Sequence, residues 1–230
     1  MQFSGFQKLT LLDFPEKTAC TLFTAGCNFR CPFCHNAGLV THIDNTNFFT
    51  EEYVLEYLKK RKGILDGICI TGGEPLMHKE LPDFIKKVKD LGYLVKLDTN
   101  GSYPERLEEL INSGLIDYVA MDIKNSKEKY ATTADCSTEL LAKIEKSVEL
   151  LKQKKIDFEF RTTVVKEYHE PDDIKKIAEW IRGADKYFLQ NFIDSGDLIK
   201  NNLSAHPRET LEFMRSLAQD IIPKVEIRGI

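Results

Sequence analysis

Residues 67–101 read GICITGGEPLMHKELPDFIKKVKDLGYLVKLDTNG, and this stretch decides the fold class. Gly67–Thr71 is a short β-branched run of the kind that forms a buried strand. Leu81, Phe84, Ile85, Val88 and Leu91 then recur at helical spacing and share one face. Gly92 ends that helix, because it tolerates the positive φ of a helix terminus. Tyr93–Asp98 is a second strand. Two strands joined through a helix pair in parallel by a right-handed crossover.

The same alternation recurs on both sides. Strand patterns fall at Thr18–Thr24, Tyr118–Ile123, Asp157–Val165, Tyr187–Phe192 and Lys224–Arg228. Helical faces are marked by Val54, Leu55 and Leu58; by Leu107, Leu110 and Ile111; and by Leu141, Ile144, Val148 and Leu151. Two more carry Ile174, Ile177, Ala178 and Ile181, then Phe213, Met214 and Leu217. The chain therefore reads as one α/β domain over 1–230 with parallel strands. A doubly wound sheet and a (β/α) barrel both fit, and both collect function at the C-terminal ends of strands.

The 230 residues are 42% hydrophobic, enough for one substantial core, and the formal net charge is −4. That balance gives no strong field for nucleic acid or an anionic membrane. No apolar run approaches the roughly 18–20 residues that span a bilayer. No secretory signal opens the chain, so a cytoplasmic protein is expected.

The polar motifs sit at the strand ends. After the first strand comes AGCNFRCPFCHN, residues 25–36, with Cys27, Cys31 and Cys34 in a C-x3-C-x2-C spacing. Thiolates at such spacing select zinc or an iron–sulfur cluster. A closed zinc site wants four ligands, and His35 is cramped beside Cys34. Three thiolates suit a cubane cluster with one iron left open; a zinc-binding module without turnover and three uncoordinated thiols are the other readings. Cys20 lies inside a strand and faces the core or the helices. Cys69 and Cys136 lie outside the spacing.

Residues 71–75 read TGGEP. Gly72 and Gly73 allow close main-chain approach to a ligand, and Glu74 offers an acceptor for an ammonium group. Residues 97–101, LDTNG, present Asp98 and Thr99 before an Asn-Gly turn. Residues 121–124, MDIK, present Asp122 and Lys124. Arg161 interrupts the apolar run FEFRTTVV, and it points either to solvent at an edge or into a polar cavity. His42, His78, His169 and His206 show no ligand spacing and read as surface histidines. The connection DSGDLIKNNLSAH, 194–206, is long and polar, a candidate for contact with a partner.

Together, the cysteine triplet and the Gly-Gly-Glu-Pro that follows it resemble the radical S-adenosylmethionine (SAM) superfamily. With LDTNG and MDIK added, the chain looks like the activases of glycyl-radical enzymes. GFQKLTLLDFPEK, 5–17, and CPFCHN are most similar to the activating proteins of anaerobic ribonucleoside-triphosphate reductase.

This resemblance implies a partial (β/α)6 TIM-like barrel. It also implies a [4Fe-4S] cluster on Cys27, Cys31 and Cys34, with SAM on the open iron. Phe33 would face the adenine and His35 line the same pocket. Gly72, Gly73 and Glu74 would meet the methionyl ammonium, and Asp98, Asp122 and Lys124 the SAM carboxylate and ribose. Thr99 would join the two aspartates around a monovalent cation. The activity implied is reductive cleavage of SAM, then removal of hydrogen from a glycine of a partner. That partner is anaerobic ribonucleotide reductase, with pyruvate formate-lyase or a small molecule as alternatives. The electron donor implied is a flavodoxin or ferredoxin. No cysteine-rich insert lies between the triplet and GGEP, which disfavours activases with extra ferredoxin-like clusters.

Overall fold

The computed structural model describes residues 1–42 and 48–229. A small ribbon comes first: β1 (Gln2–Phe3) pairs antiparallel with β4 (Phe49–Thr50). The main sheet takes β2 (Gly5–Thr10), β3 (Ala19–Thr24), β5 (Gly67–Gly72), β6 (Leu94–Thr99) and β7 (Tyr118–Asp122). It continues through β8 (Asp157–Val164), β9 (Lys186–Asn191) and β10 (Lys224–Arg228). Their spatial order is β10-β9-β8-β7-β6-β5-β3-β2. Every neighbouring pair is parallel except β2 with β3, and β2 and β10 are the two edges. Every strand expected from the sequence is present, with boundaries shifted by a residue or two.

The helices are α1 (Ala37–Val40), α2 (Glu51–Lys60), α3 (Leu81–Asp90), α4 (Pro104–Asn112), α5 (Tyr130–Ala134), α6 (Glu139–Lys152), α7 (Pro171–Trp180) and α8 (Arg208–Gln219). Their local causes are visible. Thr50 accepts the Tyr53 N–H and caps α2, whose first turn is acidic and last turn basic. The α3 stripe Leu81, Phe84, Ile85 and Val88 is buried, and Gly92 follows at φ +90°. Among the described residues, no helix is long and apolar enough to cross a membrane.

Along β8 the two faces separate by the period of two. Phe158, Phe160, Thr162 and Val164 lie on one face and are buried; Glu159, Arg161 and Thr163 lie on the other. That second face is polar over several strands, so its charges need partners. They have them: Glu159 accepts from Tyr118 and from Arg228, while Lys96 pairs with Asp98. This is why a charged residue sits inside β8.

Several features differ from the sequence reading, among them the β1–β4 ribbon and Phe213, which is exposed on α8. The edge strand β2 was not expected; its Gln7, Lys8 and Leu9 are exposed, so it lacks a buried-strand pattern. Two short helices, α1 and α5, carry too few turns to show periodicity. His169 is not a surface residue but fully buried. Val165 N–H donates to its Nδ1 at 3.1 Å, so Nε2 carries the proton and donates to the Lys124 carbonyl at 2.8 Å. Burial lowers its pKa below the ordinary value. His78 and His206 are half-buried and bond the carbonyls of Ala25 and His169. His42 is exposed.

Candidate active site

One cavity of about 250 Å3 opens at the C-terminal ends of the strands. It gathers Cys27, Cys31 and Cys34 with Phe33, His35, Gly72, Gly73, Asp98, Thr99, Asp122, Lys124 and Arg161. Twelve of the thirteen residues expected from the sequence therefore line one space. They come from five strand ends, which the parallel register brings level.

The cysteine loop leaves β3 at Thr24 and is held from several sides. Gly26 donates to the Leu39 carbonyl at 2.8 Å, and Glu74 N–H donates to the Gly26 carbonyl at 2.8 Å. Arg30 caps the carbonyls of Cys27 and Phe29. The 194–206 connection lies against this loop: Lys200 N–H donates to the Pro32 carbonyl, and Gly38 N–H donates to Asp197. Gly73 has no room for a side chain, since a Cβ there would strike the Gly26 carbonyl oxygen.

Burial pushes all three thiols above the usual range, Cys31 to about 12. Lys124 opposes that shift at each of them. Burial thus disfavours the bare thiolate at each of them, and a metal cation would take the place of the proton. Among the described residues, no three Cys, His, Asp or Glu side chains converge as ligands of a single ion. A cubane puts each cysteine on a different iron and spaces the sulfurs apart, so the donor set fits a cluster better than one zinc.

Opposite the thiols lies a charge ladder. Arg161 Nε donates to Asp122 at 2.9 Å, and its Nη1 reaches across β7 to Asp98 at 3.1 Å. Lys124 pairs with Asp122 at 3.0 Å, and the buried Lys96 pairs with Asp98. Burial disfavours the Asp122 carboxylate, but Arg161 and Lys124 outweigh it and hold the pKa at about 2. The same contest leaves Asp98 below its ordinary value, through Arg161 and Lys96. Three cations face two carboxylates, which leaves one positive charge for an anionic ligand group. Arg161 is therefore in the polar cavity, not at a solvent edge.

Glu74 is placed differently from its sequence expectation. It is fully buried and does not line the cavity. Its Oε1 accepts from Leu76 N–H at 3.0 Å and Thr99 Oγ1 at 2.8 Å; its Oε2 accepts from Asn100 N–H at 2.7 Å. Burial raises its pKa to about 7 against those donors. The carboxyl ties two strand ends together.

Phe33 is buried in the cavity wall, backed by Tyr168 and His169 with ring centroids 5.8 and 6.1 Å away. His35 is exposed, stacks on Phe192 and bonds the Ile193 carbonyl at 2.9 Å. Sequence reading missed Asn36, Asn100, Thr163 and Gln190, which also line the cavity. Asn100 had been visible only as half of an Asn-Gly turn.

Comparison with known proteins agrees with this geometry. The profile of the radical SAM superfamily matches residues 21–196. A protein of Methanocaldococcus jannaschii, provisionally named a glycyl-radical enzyme activating enzyme, is 34% identical over 236 residues, covering 99% of this chain and 95% of its own. A Methanococcus aeolicus protein provisionally named a GTP 3′,8-cyclase is 32% identical over 224 residues, covering 90% of this chain and 74% of its own. The fold matches SuiB of Streptococcus suis, solved bound to SAM, with a TM-score of 0.70 at 14% identity over 90% of this chain and 49% of that one. The relatives differ in named activity, and it is to the radical SAM superfamily that this chain belongs.

Proposed function

We propose that this radical SAM enzyme is a glycyl-radical enzyme activase whose partner is anaerobic ribonucleoside-triphosphate reductase. The observation that carries the activase reading is the match to the M. jannaschii activating enzyme along nearly all of both chains. The choice of partner rests on Gly5–Lys17 and CPFCHN, the segments similar to activating proteins of that reductase. Superfamily membership implies a [4Fe-4S] cluster and SAM as cofactors. When bound, the pair would supply one-electron radical chemistry capable of taking hydrogen from carbon.

The chain's own residues do the holding and orienting. Cys27, Cys31 and Cys34 would hold the cluster, Cys31 from a buried position and the other two from half-buried ones. Lys124 and Arg161, fixed by Asp98 and Asp122, present the surplus positive charge to the SAM carboxylate. Phe33 gives the adenine a flat apolar wall, and His35 closes the outer side. The main chain at Gly72 and Gly73, which lines the cavity, would meet the methionyl ammonium. Arg161 supplies the positive charge that a monovalent cation near Asp98, Asp122 and Thr99 would otherwise bring.

The test is anaerobic reconstitution with iron and sulfide, then mixing with SAM, a reductant and candidate partners. A glycyl radical doublet in the anaerobic reductase, with deuterium passing from glycine Cα into 5′-deoxyadenosine, is the expected result. A doublet only in a pyruvate formate-lyase-type enzyme corrects the partner. No radical in any glycyl-radical enzyme, with turnover of GTP or another small molecule instead, overturns the activase reading.

A further inference from the structure

Asn100 stands just past β6 with 6% of its surface exposed, and its main-chain N–H and both side-chain polar atoms have partners. Its main-chain N–H is held by Glu74. Its Oδ1 accepts from Ser102 N–H at 2.9 Å and from Ser102 Oγ at 2.6 Å. Those two donors decide which way the amide faces, because the reverse orientation would set its NH2 against the Ser102 N–H. The Nδ2 group therefore points the other way. One N–H goes to Asn28 Oδ1 at 3.0 Å; the second lies 3.7 Å from Cys27 Sγ. Asn28 in turn donates to Ser102 Oγ at 2.9 Å, closing a triangle between the cysteine loop and the β6 end.

Cys27 also receives the Phe29 main-chain N–H at 3.4 Å. Cys31 faces a carbonyl instead, that of Ala134 at 3.7 Å. Among the described residues, Asn100 is the one side chain that donates to any of the three sulfurs. A hydrogen bond to a cluster sulfur stabilises the more negative, reduced state, and so raises the potential.

We propose that Asn100 is a positioning residue that sets the cluster's reduction potential, by donating its side-chain N–H to Cys27 Sγ from an amide locked by Ser102 and Asn28. The inference rests on ligation by Cys27. The amide makes the cluster easier to reduce than three thiolates in the same buried site without it.

The test uses the reconstituted full chain and a redox titration followed by electron paramagnetic resonance. Asn100→Ala and the near-isosteric Asn100→Asp are compared with wild type at matched iron content. The reduction equilibrium should fall by up to about tenfold, a midpoint about 59 mV more negative for a one-electron couple. Asn100→Asp should shift further than Asn100→Ala, since it adds a negative charge as well as removing the donor. Ser102→Ala, which keeps the amide but loosens it, should shift less and in the same direction. An unshifted midpoint in either Asn100 variant that loads iron fully overturns the proposal. Full iron loading in Cys27→Ala overturns the ligation beneath it, so the two failures are distinguishable.

Discussion

The main-chain N–H of Asn100 donates to Oε2 of Glu74 at 2.7 Å, so the loop after β6 hangs on a carboxyl from the loop after β5. With Thr99 Oγ1 and Leu76 N–H on Oε1, the Glu74 carboxyl is surrounded by donors. It ties together the loops that form the floor of the site.

Glu74→Gln keeps the shape but places an NH2 where one of these donors points. The expected loss is about 1–3 kcal/mol of stability from the unmet donor. Chemical denaturation of the two proteins at one pH measures it.

The same residue gives a pH dependence of known sign. Glu74 holds its proton up to about pH 7 in the folded chain, above its ordinary value of 4.5. Between those values the folded state binds more protons than the unfolded one. Its contribution is therefore complete below about 4.5 and is lost as pH rises through about 7, a change on the order of 3 kcal/mol. The wild-type minus Glu74→Gln difference in denaturation free energy should fall across that window and then level. A flat difference contradicts the assignment.

Arg161→Met should remove the guanidinium that bridges Asp98 and Asp122, leaving each buried carboxylate with its lysine alone. A loss of about 3–5 kcal/mol is expected, with weaker SAM binding. Adding Asp122→Asn should recover part of the stability, because the two sites share a partner. Arg161→Lys should not substitute, since one ammonium cannot span both carboxylates as the guanidinium fork does. Thermal unfolding and SAM calorimetry read both effects.

Gly73→Ala should displace the Gly26–Cys27 main chain, because the new Cβ meets the Gly26 carbonyl oxygen and one of the two main-chain segments must shift. We expect about 1–3 kcal/mol of destabilisation and lower iron per chain after reconstitution. Gly63→Ala, where nothing lies within 4 Å, is the control: its φ of +80° adds strain but leaves iron loading intact.

Cys27→Ala, Cys31→Ala and Cys34→Ala should each abolish cluster loading. Cys20→Ala, Cys69→Ala and Cys136→Ala should keep full iron, as none of these lines the cavity. Iron and sulfide analysis with the visible absorbance band decides it.

Much of this protein follows from its one-dimensional pattern. Leu81, Phe84, Ile85 and Val88 announce α3 because a helix repeats every 3.6 residues wherever it packs. The strand runs announce the parallel sheet, since a helical crossover leaves few other topologies. The cysteine spacing points to a cluster because the ligands are near in sequence. The strand-end motifs meet because parallel strands end on one side.

What the tertiary structure alone decided is where individual polar side chains turn. Glu74 faces inward because Thr99 and Asn100, some 25 residues along the chain, bring their donors to it. Arg161 faces the cavity because Asp122 is its register partner and Asp98 lies within reach beyond it. His169 is buried because the Lys124 carbonyl and Val165 N–H satisfy both ring nitrogens. Asn100 aims at Cys27 because Ser102 occupies its oxygen. A buried polar group goes where its partners are, and for each of these four at least one deciding partner lies beyond the periodic, local patterns that reveal helices and strands.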